Sequence, residues 1–147
     1  MINSIIEAIS IALNAEFTEK EYEFHMEEIK QDLKEPCFFI FCLEPTNELF
    51  LGYRYYGNNG FVVQYFPESD EVQRECNSVA ERMTVCLEYI TCQGDDKPIR
   101  GNDMRWKVVD GVLNFCINYN LFTLRKVTDD SEPMETLSSG IGVEEGE

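Results

Sequence analysis

Cys37-Phe38-Phe39-Ile40-Phe41-Cys42-Leu43 is apolar at every position, and the reading of that run decides the fold. A strand with one wet face alternates apolar with polar residues, whereas an uninterrupted apolar run is how a strand covered on both faces looks. Downstream, Glu44-Pro45-Thr46-Asn47 is turn chemistry and Glu48 to Tyr56 reads as a second strand. Gly57-Asn58-Asn59-Gly60 then reads as a tight hairpin turn into a third strand, Phe61 to Phe66. Residues 37–66 are therefore expected to form an antiparallel meander.

Upstream of the run, Ile2, Ile5, Ile6, Ile9 and Leu13 recur at three- and four-residue steps, and Ser4 with Glu7 offers a capping box, so residues 2–16 read as an amphipathic helix. A mixed, charged stretch from Thr18 to Glu35 separates it from the strand. On the other side, Pro67 precedes two possible caps, Ser69 and Asp70. Val72, Cys76, Val79, Met83, Cys86 and Ile90 then predict a helix over about residues 70–90. Its apolar stripe is read as core packing rather than a cofactor box. Gln93 to Asp103 is rich in Gly, Asp and Pro and reads as a loop. Two strands follow. Met104, Trp106 and Val108 alternate with Arg105 and Lys107, and after Asp110-Gly111 the residues Leu113, Phe115, Ile117, Tyr119 and Leu121 take one face. The other face of that strand, Asn114, Cys116, Asn118 and Asn120, is polar but uncharged, which suits solvent or a subunit contact.

The fold class is therefore α+β: a mixed or antiparallel sheet with an N-terminal helix and one long helix packed on it. Residues 1–127 are expected to be one domain. From Thr128 onward there are seven acids and no base, with little apolar material, so residues 128–147 are expected to be a disordered acidic tail.

Composition narrows the function classes. With 28 Asp and Glu against 12 Lys and Arg, the 147-residue chain carries −16 at neutral pH. Such a charge repels phosphate backbones and anionic bilayers, so neither direct nucleic-acid binding nor membrane binding is expected. No apolar run approaches the roughly 20 residues of a helical span, and the N-terminal stretch lacks the cationic start of a secretory signal. Six cysteines in a chain without export features read as reduced thiols used as small hydrophobes.

Catalytic and metal chemistry finds few supports. The single histidine, His25, lacks the second His of a helical zinc motif and is expected to be exposed and idle. Cys37/Cys42 and Cys86/Cys92 miss the spacing of zinc knuckles, and a Cys nucleophile has no base other than His25. Asp95-Asp96 and Asp129-Asp130 read as solvated pairs, and the glycines at 140, 142 and 146 sit in no strand–loop–helix context. No catalytic residue, cofactor or metal is expected. The less ordinary feature is aromatic: Tyr53, Arg54, Tyr55 and Tyr56, just before Asn58 and Asn59, are residue types that make interface hot spots. These six are the candidate interface residues, for contact with another copy or with a partner.

Several stretches carry a family likeness: Met1-Ile2-Asn3-Ser4-Ile5-Ile6-Glu7-Ala8-Ile9, Glu28-Ile29-Lys30-Gln31 through Lys34-Glu35-Pro36-Cys37-Phe38-Phe39-Ile40, Tyr65-Phe66-Pro67, and Arg100-Gly101 through Val109-Asp110-Gly111-Val112-Leu113. Over about residues 1–125 the chain resembles the small tail-terminator (tail-completion) proteins of Gram-positive phages and of contractile phage-tail-like bacteriocins, the diffocin-type particles. The resemblance implies a structural, non-enzymatic subunit that forms a homo-hexameric ring on the end of the tail tube and stops its polymerisation. It implies the tube protein as partner, with the sheath protein a further candidate. It also implies a place in the bacterial host cytoplasm during assembly and in the finished tail afterwards. The reading from another class is an acidic monomeric inhibitor or DNA mimic of a basic partner. Against it, seven of its acids sit in the tail rather than on an ordered surface.

Deleting residues 128–147 is expected to leave the melting temperature within a few degrees of the full chain, because so apolar-poor a segment cannot repay the entropy of ordering. Differential scanning calorimetry of the two forms checks this, and a large drop would show that the segment docks on the domain.

Overall fold

The computed structural model describes residues 1–27 and 34–124. The expected acidic tail, and the Glu28 to Leu33 part of the charged stretch, lie outside the described residues. The chain is α+β, with two helices, α1 (Ile2–Glu16) and α2 (Val72–Cys86). The strands are β1 (Glu23–His25), β2 (Cys37–Cys42), β3 (Glu48–Leu51), β4 (Arg54–Gly57), β5 (Gly60–Phe66), β6 (Tyr89–Ile90), β7 (Ile99–Arg100), β8 (Asn102–Val109), β9 (Val112–Asn118) and β10 (Leu121–Leu124).

A five-stranded sheet in the order β1-β2-β5-β9-β8 is the centre of the molecule, antiparallel except for the parallel β1–β2 pair. Its register stacks the core in rows. Phe38 lies opposite Tyr65 and Tyr65 opposite Leu113, while Ile40 lies opposite Val63 and Val63 opposite Phe115. All six are buried, and α1 covers them with Ile5, Ala8, Ile9 and Leu13, α2 with Cys76, Val79, Ala80 and Met83. Both helices lie on this one face.

The apolar run 37–43 is thus covered by helices on one side only. Cys37, Phe39 and Phe41 point to the opposite face, where Phe39 and Phe41 are half-buried against each other, with ring centroids 5.3 Å apart. Bulky neighbours in a central strand shield one another without a second layer, which is why continuous hydrophobicity overstated the cover. α1 keeps its expected bounds, but both helices start without the expected caps. α1 begins at Ile2 with Met1 as its cap residue and no side-chain cap bond, so Ser4 and Glu7 lie inside the first turns rather than forming a capping box, and Ile2 packs against the core. α2 uses neither Ser69 nor Asp70. The Glu75 carboxylate instead accepts the backbone N–H groups of Ser69 (2.9 Å) and Glu68 (3.2 Å) and the Tyr65 hydroxyl (2.5 Å). Burial works against its ionisation, but these hydrogen bonds outweigh it and hold the Glu75 carboxyl below its usual range.

α2 stops at Cys86 rather than near residue 90. The buried Tyr119 hydroxyl donates to the Leu87 carbonyl (2.5 Å), and the Gly101 N–H donates to that of Glu88 (2.7 Å), so the chain turns into β6 and Ile90 reaches the core from a strand. A side chain on Gly101 would run into Ile117, so this approach requires glycine. The stretch 93–103, expected as loop, contributes β7 to a short two-stranded pair with β6. All six cysteines are free thiols, with Cys37, Cys76 and Cys92 buried. Burial pushes the Cys37 thiol up to about 11 and the Cys86 thiol up to about 12.

The helices are joined at one end by Arg82, whose guanidinium donates to Glu16 (3.0 Å) and Glu19 (2.7 Å) and lies 4.1 Å from the centre of the Phe17 ring. Hydrogen bonding from Arg82, then from Tyr22, lowers the Glu19 carboxyl to about 2. A carboxyl depressed in the folded state adds stability that is complete above its unfolded value and lost as pH falls through the folded one. Replacing Arg82 with Met is expected to cost about 1 kcal/mol, discounted for the partial exposure of the cluster. Thermal melts should place the variant about 2–4 °C below the parent at neutral pH, the gap narrowing as pH falls from 5 towards 2.

Candidate interaction surface

Glu48 to Tyr56 is not one strand. Gly52 takes a positive φ of 58° and the register slips between Leu49 and Leu51, so β3 turns back at Gly52-Tyr53 and pairs with β4. Asn58 and Asn59 therefore do not form a hairpin tip. They join two sheets, because β4 pairs with β10 on its other side to give a separate three-stranded sheet in the order β10-β4-β3. The intended meander is a β2–β5 pair with this arm inserted between its strands.

The joint is polar and closed. Asn59, 3% exposed, donates from its side-chain amide to the Tyr119 carbonyl (3.2 Å), and its backbone N–H donates to the Asn120 side chain (3.2 Å). The Tyr119 N–H returns a bond to the Asn59 carbonyl (2.9 Å). Asn58 exchanges bonds with Thr46: its N–H donates to the threonine hydroxyl and its carbonyl accepts the Thr46 N–H, each at 3.1 Å. The two crossings of the chain between the sheets, at 58–59 and 119–120, are thus tied to each other. An open cleft of about 400 Å³ lies beside the joint, lined in part by Ile2, Pro45, Gly57 and Leu121.

Beyond the joint the arm is apolar and exposed. Leu49 is 62% exposed, Phe50 59%, Leu51 68% and Phe122 58%. Phe122 lies between Phe50 (ring centroids 5.1 Å) and Tyr56 (5.0 Å), an aromatic row on one arm face. Arg54 shares that face with Tyr56, two residues along the same strand. Of the six candidate interface residues, Tyr53 and Arg54 are exposed near the arm's turn and Tyr55 and Tyr56 are half-buried along it. Asn58 is exposed and Asn59 is buried at the joint. The first four fall on the arm and the last two hold it in place. Leu49, Phe50, Leu51 and Phe122 were missing from the candidate set. The first three follow one another just before a glycine, and that spacing was a legible sign of an exposed hairpin.

Among the described residues no three His, Cys, Asp or Glu side chains come together as a metal site. His25 is half-buried rather than exposed, its Nε2 3.2 Å from Glu23. No helix among the described residues is long and apolar enough to cross a membrane.

A family model described as phage tail terminator protein matches residues 4–132, a span that takes in every strand named above, α2 and all but the first two residues of α1. The chain belongs to the phage tail terminator family. A terminator has a structural part in completing a phage tail and works in contact with other tail components. No curated protein matches this terminator.

The terminator's joint and arm should respond differently to mutation. Asn59→Ala leaves buried amide and carbonyl groups without partners and is expected to cost about 1–3 kcal/mol in urea unfolding. Tyr53→Ala, on the exposed turn, is expected to change stability by no more than about 0.5 kcal/mol.

Proposed function

We propose that this terminator closes a homo-hexameric ring on the end of the tail tube, stops its polymerisation and presents a surface to the component added next. The carrying observation is the arm: a small sheet set apart from the core, with a contiguous apolar row that no described element covers. Monomeric proteins seldom leave such a patch open, and patches of this kind belong to contacts. Membership of the terminator family supports the tube as the body on which those contacts form. Residues 1–127 act as the assembling domain and 128–147 as an acidic extension. Tyr53, Arg54, Tyr55 and Tyr56 serve as contact residues, with Asn58 and Asn59 fixing the arm. The partners are other copies and the tube protein, with the sheath protein a further candidate. The particle is a phage or a contractile phage-tail-like bacteriocin, assembled in the host cytoplasm. The role needs no catalytic group, cofactor, bilayer or nucleic acid.

Charge sets the conditions for assembly. Without the seven tail acids the domain carries about −9, so six copies place about −54 in one ring. Like charge opposes closure unless screened, and apolar burial must supply the attraction. Free protein at low salt is expected to be largely monomeric and to shift towards hexamer as salt rises. It should bind finished tubes at their ends, where the tube's contacts tip a marginal equilibrium. Light scattering across a salt series, with electron microscopy of tubes after mixing, measures both. Combined Arg54→Ala and Tyr56→Ala changes should weaken assembly and leave the monomer folded. Rings that dissociate as salt rises would overturn the electrostatic argument, and binding along the tube wall would overturn the terminal position. A monomer indifferent to tubes would fit an acidic inhibitor instead.

A further inference from the structure

The open face of the central sheet and the exposed face of the arm carry matching patterns. On the sheet, Phe39, Phe41, Val62 and Phe66 share the side away from both helices, by their cross-strand register. The same register continues through the Gln64–Asn114 amide pair to Lys107 and Arg105 on β8 at one edge, and to Glu23 on β1 at the other. Across the five strands the order is cations, amides, aromatics, acid. On the arm, Phe122, Tyr56 and Glu48 form one cross-strand row at the base, Phe50 follows, and Arg54 is next to the turn. From base to tip the order is acid with aromatics, then an aromatic, then cation.

Within each set most charges lack an opposite charge among the described residues, the exception being Glu23, 3.2 Å from His25 on the same face. Among the described residues Glu48, Arg54, Arg105 and Lys107 have no ion-pair partner, and neither helix covers the sheet face. We propose that the arm of one copy lies across the open sheet face of the next, its base towards the neighbour's β8 and its tip towards the neighbour's β1. This contact rests on the ring reading and gives it a direction. The reverse orientation would set Glu48 against Glu23 and Arg54 against Arg105 and Lys107. Five strands span about 19 Å between the outer two, while Glu48, opposite Tyr56, and Arg54, two residues along β4, lie about 7 Å apart along the arm, so the long side chains of Arg54, Arg105 and Lys107 reach inward to meet their partners. An arm-to-face contact uses two different surfaces of each copy, and such head-to-tail contacts close into rings when the rotation allows.

Mixing half-defective copies tests the contact. A copy with Phe50→Asp and Leu51→Asp loses its arm surface and keeps its face, and a copy with Phe41→Asp keeps its arm and loses its face. Each alone should remain monomeric under conditions where the parent forms rings. Mixed in equal amounts, they should pair once, giving a species of about 34 kDa, twice the 17.1 kDa chain, and no ring. A parent that forms rings while the mixture stays monomeric would overturn the arm-to-face contact and leave the ring reading standing. A parent that stays monomeric at every salt concentration and on tube ends would overturn both. Should Phe41→Asp fail to fold, exposed charges give the same answer. Lys107→Glu should weaken assembly about tenfold, and Glu48→Lys in the same chain should recover most of that loss. Additive losses in the double variant would overturn the proposed orientation.

Discussion

Tyr119 is where the two parts of this molecule are made one. Its ring is buried beside Phe61, with centroids 5.8 Å apart, its hydroxyl takes the Leu87 carbonyl, and its backbone is bonded on both sides to Asn59. One residue therefore ends α2, turns the chain from β9 into β10 and fixes the second crossing between the sheets. A buried phenol has few ways to satisfy its hydroxyl, and burial drives its ionisation far out of the physiological range. The group stays a neutral donor. Without it the Leu87 carbonyl would lose the phenol that meets it at the end of α2.

The arrangement separates what must be rigid from what must be available. Apolar rows between β2, β5 and β9 and the two helices supply the core, and Arg82 and Glu75 secure the ends of the helices to it. The arm contributes little to that core and spends its aromatic residues on the outside. A tail terminator needs this division, because surfaces that meet other subunits must stay exposed in the free chain while the scaffold behind them keeps its shape.

Much of this was legible in the residues, and the exceptions have physical reasons. α1 was readable to its boundaries because its apolar period runs unbroken along one face, which is the face buried in the core. The end of α2 was not, because Ile90 continues a helical spacing while the Tyr119 hydroxyl, distant in sequence, ends the helix. The strand from Val112 was readable, but its regular alternation through Leu121 hid the corner at Tyr119-Asn120, since both sheets bury residues in the same phase. Gly57-Asn58-Asn59-Gly60 has the composition of a turn, yet the asparagine amides serve as partners for backbone groups at a joint. The turn falls instead at Gly52, where only one glycine marks it. The arm's aromatic cluster was legible as residue type, while its separation from the main sheet depends on β10, which is more than 60 residues away in sequence and pairs with β4.

β3 is an outer strand of the arm, with Leu49, Phe50 and Leu51 exposed in succession and one edge of its backbone unpaired among the described residues. An edge of that kind is a template for uncontrolled strand addition, and proteins usually blunt it with charge placed in the strand itself. Here the strand holds a single acid, Glu48, and the protection is spread over the whole molecule: a charge of −16 keeps copies apart at distances where the hydrophobic edge has no reach. The acidity that looks like an obstacle to self-association is therefore also a solubility device, holding a sticky edge in reserve until a geometrically correct neighbour comes close enough to use it.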